Sequence, residues 1–264
     1  MPALRHLTAI RYVTALHEGG TVPAIVEADD GALYVAKFRA SAQGGRVLAA
    51  EVIVGALARA AGLRVPELAL IDVDAALGRS EPHPEIRALL IGSAGLNLAM
   101  TYLPGAVGYD VAARRPVAGE LASRIVALDV LVANVDRTAR NPNLLWWRDE
   151  LWLIDHGASL YWHHGWDGSG GAGPLAAGAE RADARARDHV LLPLADGLAT
   201  AGAALARALD DGVLASAIDA VPDDWLEGAG GTALRPAYAA WLRARCDALP
   251  RILDEVDRVR AAGV

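Results

Sequence analysis

The strongest constraint on this chain is a change of hydrophobic period at Met100-Thr-Tyr-Leu-Pro-Gly105, where Pro104-Gly105 interrupts strand and helix patterns alike. Before it, strand signals dominate. Ile10 to Leu16 is a short apolar run that closes on His17-Glu18-Gly19-Gly20, and Val22 to Glu27 alternates. Asp29-Asp30-Gly31 marks a hairpin, and Leu33 to Phe38 is β-rich. Arg46 to Ala61 carries Val47, Ala50, Val54, Leu57 and Ala61 at helical spacing and stops at Gly62. Glu67 to Val73 and Ile86 to Ile91 are expected to be further strands. After the break, Val117 to Ala133 reads as a long apolar helix and Asn134 to Asn143 as a polar loop. Leu144 to Trp147 and Leu151 to Ile154 then form a hairpin around Arg148-Asp149-Glu150. Gly165 to Gly173 is a glycine-rich loop. Helical patterns follow at Leu191 to Leu198, Ala203 to Leu209, Tyr238 to Leu249 and Ile252 to Val259, with no internal repeat. The pattern predicts an α+β chain in two lobes: a small β-rich N-lobe with one helix over residues 1–103, and a mainly helical C-lobe over 104–264.

With 53% hydrophobic and 22% charged residues, the chain can bury a sizeable core. A net charge of -7 argues against a general nucleic-acid binder, which needs a basic stripe. The opening residues carry no basic, apolar, small-residue leader pattern. No apolar stretch is long enough to span a bilayer, so a cytoplasmic protein that does not work on membranes is expected. Cys246, the single cysteine, lies in a helical pattern and reads as packing. Of the 25 basic residues, 24 are Arg and only Lys37 is Lys, the usage of a GC-rich genome. A lysine kept against that drift marks a site that wants a compact ammonium between phosphate oxygens and a carboxylate. Four asparagines survive, Asn97, Asn134, Asn141 and Asn143, and three of them fall within ten residues of one another.

Those three bracket the chemistry. Asp136 leaves the apolar helix on a polar loop, where it could accept a proton from a hydroxyl nucleophile. Asn141 offers an amide oxygen, and Asp155 ends a strand at Asp155-His156-Gly157. With phosphate oxygens and water they compose an Mg²⁺ shell. The competing reading has these side chains capping helices and turns. In the first half, Tyr34-Val35-Ala36-Lys37-Phe38 sets the lysine on a strand, and Glu51 lies on the following helix, on the side of Ala50, Val54 and Leu57. Two loops compete to cover phosphates: Gly19-Gly20-Thr21, and Gln43-Gly44-Gly45 at a helix start. Neither matches G-x-G-x-x-G or a Walker A motif, and both read equally as plain turns.

Asn134-x-Asp136-x-x-x-x-Asn141, then Asp155-His156-Gly157, with Val35-Ala36-Lys37-Phe38 upstream, resembles the HipA-like kinases and their phosphoinositide 3/4-kinase relatives. The turn His17-Glu-Gly-Gly-Thr-Val-Pro23 is similar in placement to their glycine loop. The resemblance covers residues 10 to 165 by motif. It implies a protein-kinase-like fold, ATP and Mg²⁺ as cofactors, and a hydroxyl-bearing acceptor, a protein Ser/Thr or a small molecule. By the same resemblance Asp136 is the catalytic base, and Asn141 and Asp155 are metal ligands. Lys37, partnered by Glu51, lies on the phosphates, and the backbone from Met100 through Tyr102 to Leu103 is the adenine hinge. Arg137 departs from the small residue usual after the catalytic Asp and is similar to the phosphoinositide-kinase D-R pattern. The chain is too short for the extra N-terminal subdomain of full HipA toxins. A nucleotide-binding pseudokinase and an AMP-transferase on the same fold stay open, as does an unrelated scaffold protein with chance motifs. His163-His164 does not have metal-ligand spacing. Trp146, Trp147 and Trp152 read as hairpin packing, and His156 as support for its turn. Trp162, Trp166 and Arg140 read as surface residues or as contacts to a substrate.

Overall fold

In a computed structural model, residues 3–16, 22–41, 44–79, 81–168, 179, 184–226 and 231–263 are described. Five strands close a small barrel: β1 (Arg5–Ala15), β2 (Ala24–Ala28), β3 (Leu33–Lys37), β4 (Leu68–Val73) and β5 (Gly95–Thr101), in the order β1-β2-β3-β5-β4. Closure depends on the length of β1. Its first part, Arg5 to Thr8, pairs in parallel with Ala69 to Asp72, and its second part, Ala9 to Ala15, pairs antiparallel with β2. Register shifts between Ala9 and Arg11 and between Tyr12 and Thr14 supply the bend. So narrow a barrel has little room inside. The side chains of Ala9, Ala28, Ala36, Ala69 and Ala99 fill much of it, with Val26 and Ile71. Alternation turns Leu68, Leu70 and Leu98 outward onto the main core.

That outer face receives α1 (Gly44–Ala60), in which every residue from Val47 to Ala58 is buried. A helix apolar all round needs cover on every side. The barrel covers one side, and Trp225 and α5 (Asp211–Asp219) cover another. Gly45 lies so close that a Cβ there would come within 2.7 Å of the Trp225 carbonyl oxygen.

The Ile86 to Ile91 segment, expected to be a strand, is instead part of a second helix, α2 (Pro84–Gly92). Pro84 starts it, and Ile86 and Leu90, one turn apart, pack against the barrel. A six-residue segment with five apolar residues does not distinguish strand from helix by period alone. The strand is β5, and the N-terminal part therefore holds two helices.

The C-terminal part begins with β6 (Val107–Gly108), which adds an edge to the hairpin β7 (Leu144–Trp147) and β8 (Glu150–Leu153). Helix α3 (Gly119–Leu131) packs on α4 (Leu198–Ala208) and on the long α6 (Leu234–Ala261). Three details differ from expectation. Leu191 to Leu198 yields only a short 3₁₀ turn at Leu192–Leu194, because Pro193 and the residues beyond it break the helix. Asp210 caps α5 by accepting the Val213 N–H at 2.8 Å, a start signal that apolar spacing alone did not show. The two C-terminal patterns are one helix that runs through Pro250, with Leu249, Ile252, Leu253 and Val256 buried on both sides of it. Among the described residues, no helix is long and apolar enough to cross a membrane.

Candidate active site

Lys37 is the last residue of β3, and its Nζ is buried between two carboxylates. It donates to Glu51 Oε1 on α1 and to Asp155 Oδ1 at 2.8 Å. Glu51 also takes the backbone N–H of His156. Burial disfavours the Lys37 ammonium, but the two carboxylates outweigh it and hold its pKa above the ordinary value. Burial likewise raises Asp155, yet Lys37 dominates and brings it down to about 2. Glu51 moves the other way, pushed up by burial and by the neighbouring Asp155 charge.

The Asp155 backbone is left-handed, at φ 52, and Gly157 explains why the turn can lie where it does. A Cβ at Gly157 would sit 2.5 Å from the Val47 side chain, so only glycine lets this segment press against α1. Arg46, in the first turn of α1, donates to the carbonyl of His163 and, at 3.3 Å, to that of Trp166.

Asp136 leaves the loop after α3. The Asn134 side-chain oxygen accepts its N–H at 3.1 Å, and the Asn141 amide donates to Asp136 Oδ2 at 2.7 Å. Because the Asn141 nitrogen is committed there, its oxygen is the atom left to face a cation. Asn143 reaches the same Asp136 oxygen at 3.4 Å. Burial pushes the Asp136 carboxyl up, the two asparagine amides pull it down, and the Asp155 charge adds to the rise.

A cavity of about 340 Å³ is lined by Lys37, Asn141, Asn143 and Asp155, whereas Glu51 and Asp136 stand behind these residues and do not line it. Val35 and Lys37 of β3, with Met100 to Leu103, form one wall. Asn141, Asn143, Leu145, Ile154 and Asp155 form the facing one. Leu16 and Pro23 also line it, bonded to each other through Leu16 N–H and Pro23 O at 2.7 Å. The turn between them, with Gly19 and Gly20, lies outside the described residues, as does Gln43. Gly44 is described, with φ 66 at the start of α1, and does not line the cavity.

His163 is buried and packs on α6, where its Nδ1 lies 2.8 Å from the Tyr238 hydroxyl, while its Nε2 lies 3.1 Å from His164 Nε2. Trp162 and Trp166 belong to the same aromatic group, with Tyr238 and Trp241, and so pack in place of facing a substrate. Sequence reasoning missed Asp129, which bonds Arg137, and His189, which bonds Asp129. Asp129 is the sole charge between Ile125 and Ala133 in an otherwise apolar run, and that was the available signal.

The sequence profile of the HipA-like kinases matches residues 10–165, a span that includes Lys37, Glu51, Asp136, Asn141 and Asp155. The chain belongs to the HipA-like kinase family. Among solved structures, this HipA-like kinase is similar to the Helicobacter pylori proinflammatory kinase CtkA. The TM-score is 0.55 and the identity 14%, over 90% of this chain and 95% of that one. It is also similar to the Golgi casein kinase solved with Mn/ADP, with a TM-score of 0.48 and 12% identity over 96% and 73% of the two chains. No curated protein matches the chain. The fold of this HipA-like kinase is α+β and kinase-like, β-rich at its N-terminal part and mainly helical at its C-terminal part.

Proposed function

We propose that this HipA-like kinase transfers the γ-phosphoryl group of ATP, bound with Mg²⁺, to a hydroxyl acceptor on a protein or a small molecule. The observation that carries the reading is convergence. Lys37, Asn141 and Asp155 come from three separated segments and line one cavity whose rim is the Met100–Leu103 backbone. Bound Mg²⁺–ATP supplies the phosphoryl group and the cation that neutralises charge developing on it.

The chain's own residues do the rest. Lys37, oriented by Glu51, is assigned to the phosphates. Asp155 and the side-chain oxygen of Asn141 are assigned to the metal, for which an all-oxygen donor pair is suited. At the hinge, Tyr102 N–H is already bonded to Leu33 O at 3.1 Å. Among the described residues no main-chain carbonyl takes the Leu103 N–H, so we assign that donor to adenine. Asp136, its carboxyl raised by partial burial, is the base that receives the acceptor proton. We place the division of the lobes at Leu103/Pro104, just past the end of β5.

Thermal unfolding with and without Mg–ATP tests the nucleotide site. At 100-fold excess over Kd, binding should raise the wild-type midpoint by about 5–10 °C, and much less for Lys37→Ala and Asp155→Ala. Asp136→Asn should keep that shift while lowering phosphoryl transfer by roughly 10²–10⁴-fold. An unchanged transfer rate in Asp136→Asn removes the base assignment, and no wild-type shift removes the site.

A further inference from the structure

Segments far apart in the chain meet on one buried carboxylate. Asp129, near the end of α3, is 1% exposed. Its Oδ2 accepts from Arg137 Nε at 2.5 Å and from His189 Nε2 at 2.9 Å, and its Oδ1 accepts from Asn134 Nδ2 at 2.9 Å. Leu191 N–H donates to His189 Nδ1 at 3.1 Å, which only an unprotonated nitrogen accepts, so the ring carries its proton on Nε2 and aims it at Asp129. The main chain follows the same path, with Val190 N–H donating to Arg137 O at 3.0 Å.

Arg137 extends past the carboxylate. Its Nη1 donates to the carbonyl of Asn143 and, at 3.4 Å, to that of Ile154, and its Nη2 lies 3.4 Å from His156 Nδ1. Asn143 O accepts the Ile154 N–H as well, at 3.1 Å, so the guanidinium closes the open end of the β7–β8 pair. The two carbonyls stand beside the two proposed metal ligands: Asn143 follows Asn141 by two residues, and Ile154 precedes Asp155 by one. Asn143 and Asp155 are both left-handed, at φ 51 and 52, a backbone that Asn and Asp tolerate better than other side-chain-bearing residues.

We propose that Arg137 is a positioning residue for the metal–nucleotide site: its guanidinium, held by Asp129, which His189 in turn orients, fixes the spacing between Asn141 and Asp155. The inference rests on the reading of the site given above. A buried ion pair is by itself weak evidence of a stabilising role, because apolar packing serves as well. What apolar side chains and lysine lack is a rigid planar fork that reaches a carboxylate and two carbonyls at once.

The test is Arg137→Lys, which keeps a cation for Asp129 but loses the fork. ADP binding is titrated with Mg²⁺ or Mn²⁺, and again in excess chelator. The expected result is a metal half-saturation raised about 10–100-fold, as for other losses of support behind metal ligands. Chelator-resistant ADP affinity should stay within about threefold, since the hinge and Lys37 are untouched. His189→Gln, whose amide N–H replaces the Nε2–H, should keep the wild-type metal response, whereas His189→Ala should shift it in the direction of Arg137→Lys. That pair carries the test where Arg137→Lys does not fold. A folded Arg137→Lys with wild-type metal half-saturation overturns the inference and leaves the site reading intact. Equal losses with and without metal also overturn it, because Arg137 would then serve the fold alone. Wild-type protein that binds no ADP under either condition overturns the site reading, and this inference with it.

Discussion

Among the described residues, two clusters of buried charge are built on opposite plans. Lys37, Glu51 and Asp155 place one cation between two carboxylates, and the Asp155 side chain stays 42% exposed on the cavity wall. Asp129 and Arg137 pair one charge with one, both at most 1% exposed, with His189 closing the arrangement. His156 joins them: its backbone N–H serves Glu51, and its ring meets Arg137. The first cluster carries an excess negative charge next to open space, the state a divalent cation would neutralise. The second is balanced and enclosed, with Asp129 and Arg137 bonded to each other and to neighbouring side chains and carbonyls. The difference separates groups held ready for ligands from groups that hold the backbone.

The largest expected effect breaks the enclosed pair. Against burial, which favours the neutral acid, Arg137 and His189 keep Asp129 well below the usual carboxylate range, so it is ionised throughout the working pH range. Asp129→Asn would leave the Arg137 charge uncompensated in a closed site, at about 3–5 kcal/mol. Lys37→Met should lose less, about 1–2 kcal/mol, since Asp155 reaches solvent and Glu51 can take up a proton. Urea unfolding of both variants at pH 7 checks the ranking. Lys37→Met as the more damaged protein would show that the open cluster is the structural one.

A third plan for burying a titratable group is to keep it neutral, and His163 follows it. Burial, aided by His164 and Arg46, lowers its pKa to about 3. In the unfolded chain the imidazole titrates near 6.5. Below that pH the unfolded state binds a proton that the native state does not, so stability falls as pH drops from about 6.5 towards 3. The slope approaches about 1.4 kcal/mol per pH unit. His163→Gln should remove this contribution, giving a shallower decline between pH 6 and 4.5 in urea midpoints. Identical slopes would mean that His163 is protonated in the fold.

The sequence showed the open cluster better than the enclosed one, for a physical reason. Lys37, Asp136, Asn141 and Asp155 are residue types whose chemistry is legible at motif spacing, and the apolar side of α1 pointed to Glu51. The partner of Arg137, Asp129, lies 8 residues before it, and the partner of Asp129, His189, lies 60 residues after Asp129, on a helix and on a loop with no motif of their own. Only the closure of the fold brings them together. The strand signals of β2, β3, β4 and the β7–β8 hairpin were equally local and legible. The barrel was not, because it depends on β1 pairing with both neighbours through its register shifts. Helix α2 was misread because the five apolar residues from Ile86 to Ile91 suit either period, and tertiary packing on the barrel decided between them.

The smallest effect separates the clusters most sharply, because one isosteric change should act on them with opposite sign. Glu51 has its pKa raised by burial, with Asp155 contributing, so its ionised form is held at a cost. A carboxyl whose folded pKa lies above its unfolded value lends stability at low pH and loses it as pH rises through the folded value. Glu51→Gln removes that loss and the excess charge, and it leaves Lys37 its bond to Asp155. Stability at pH 7 should therefore stay level or rise by up to about 1 kcal/mol, where Asp129→Asn falls steeply. Turnover should drop roughly tenfold, the equivalent of about 1.4 kcal/mol, as Lys37 exchanges a charged partner for a neutral one. An unfolding free energy from urea titration that falls by about 2 kcal/mol or more would place Glu51 with the scaffold. A level midpoint with lowered turnover would mark it as a residue kept for the reaction at the expense of nothing in the fold.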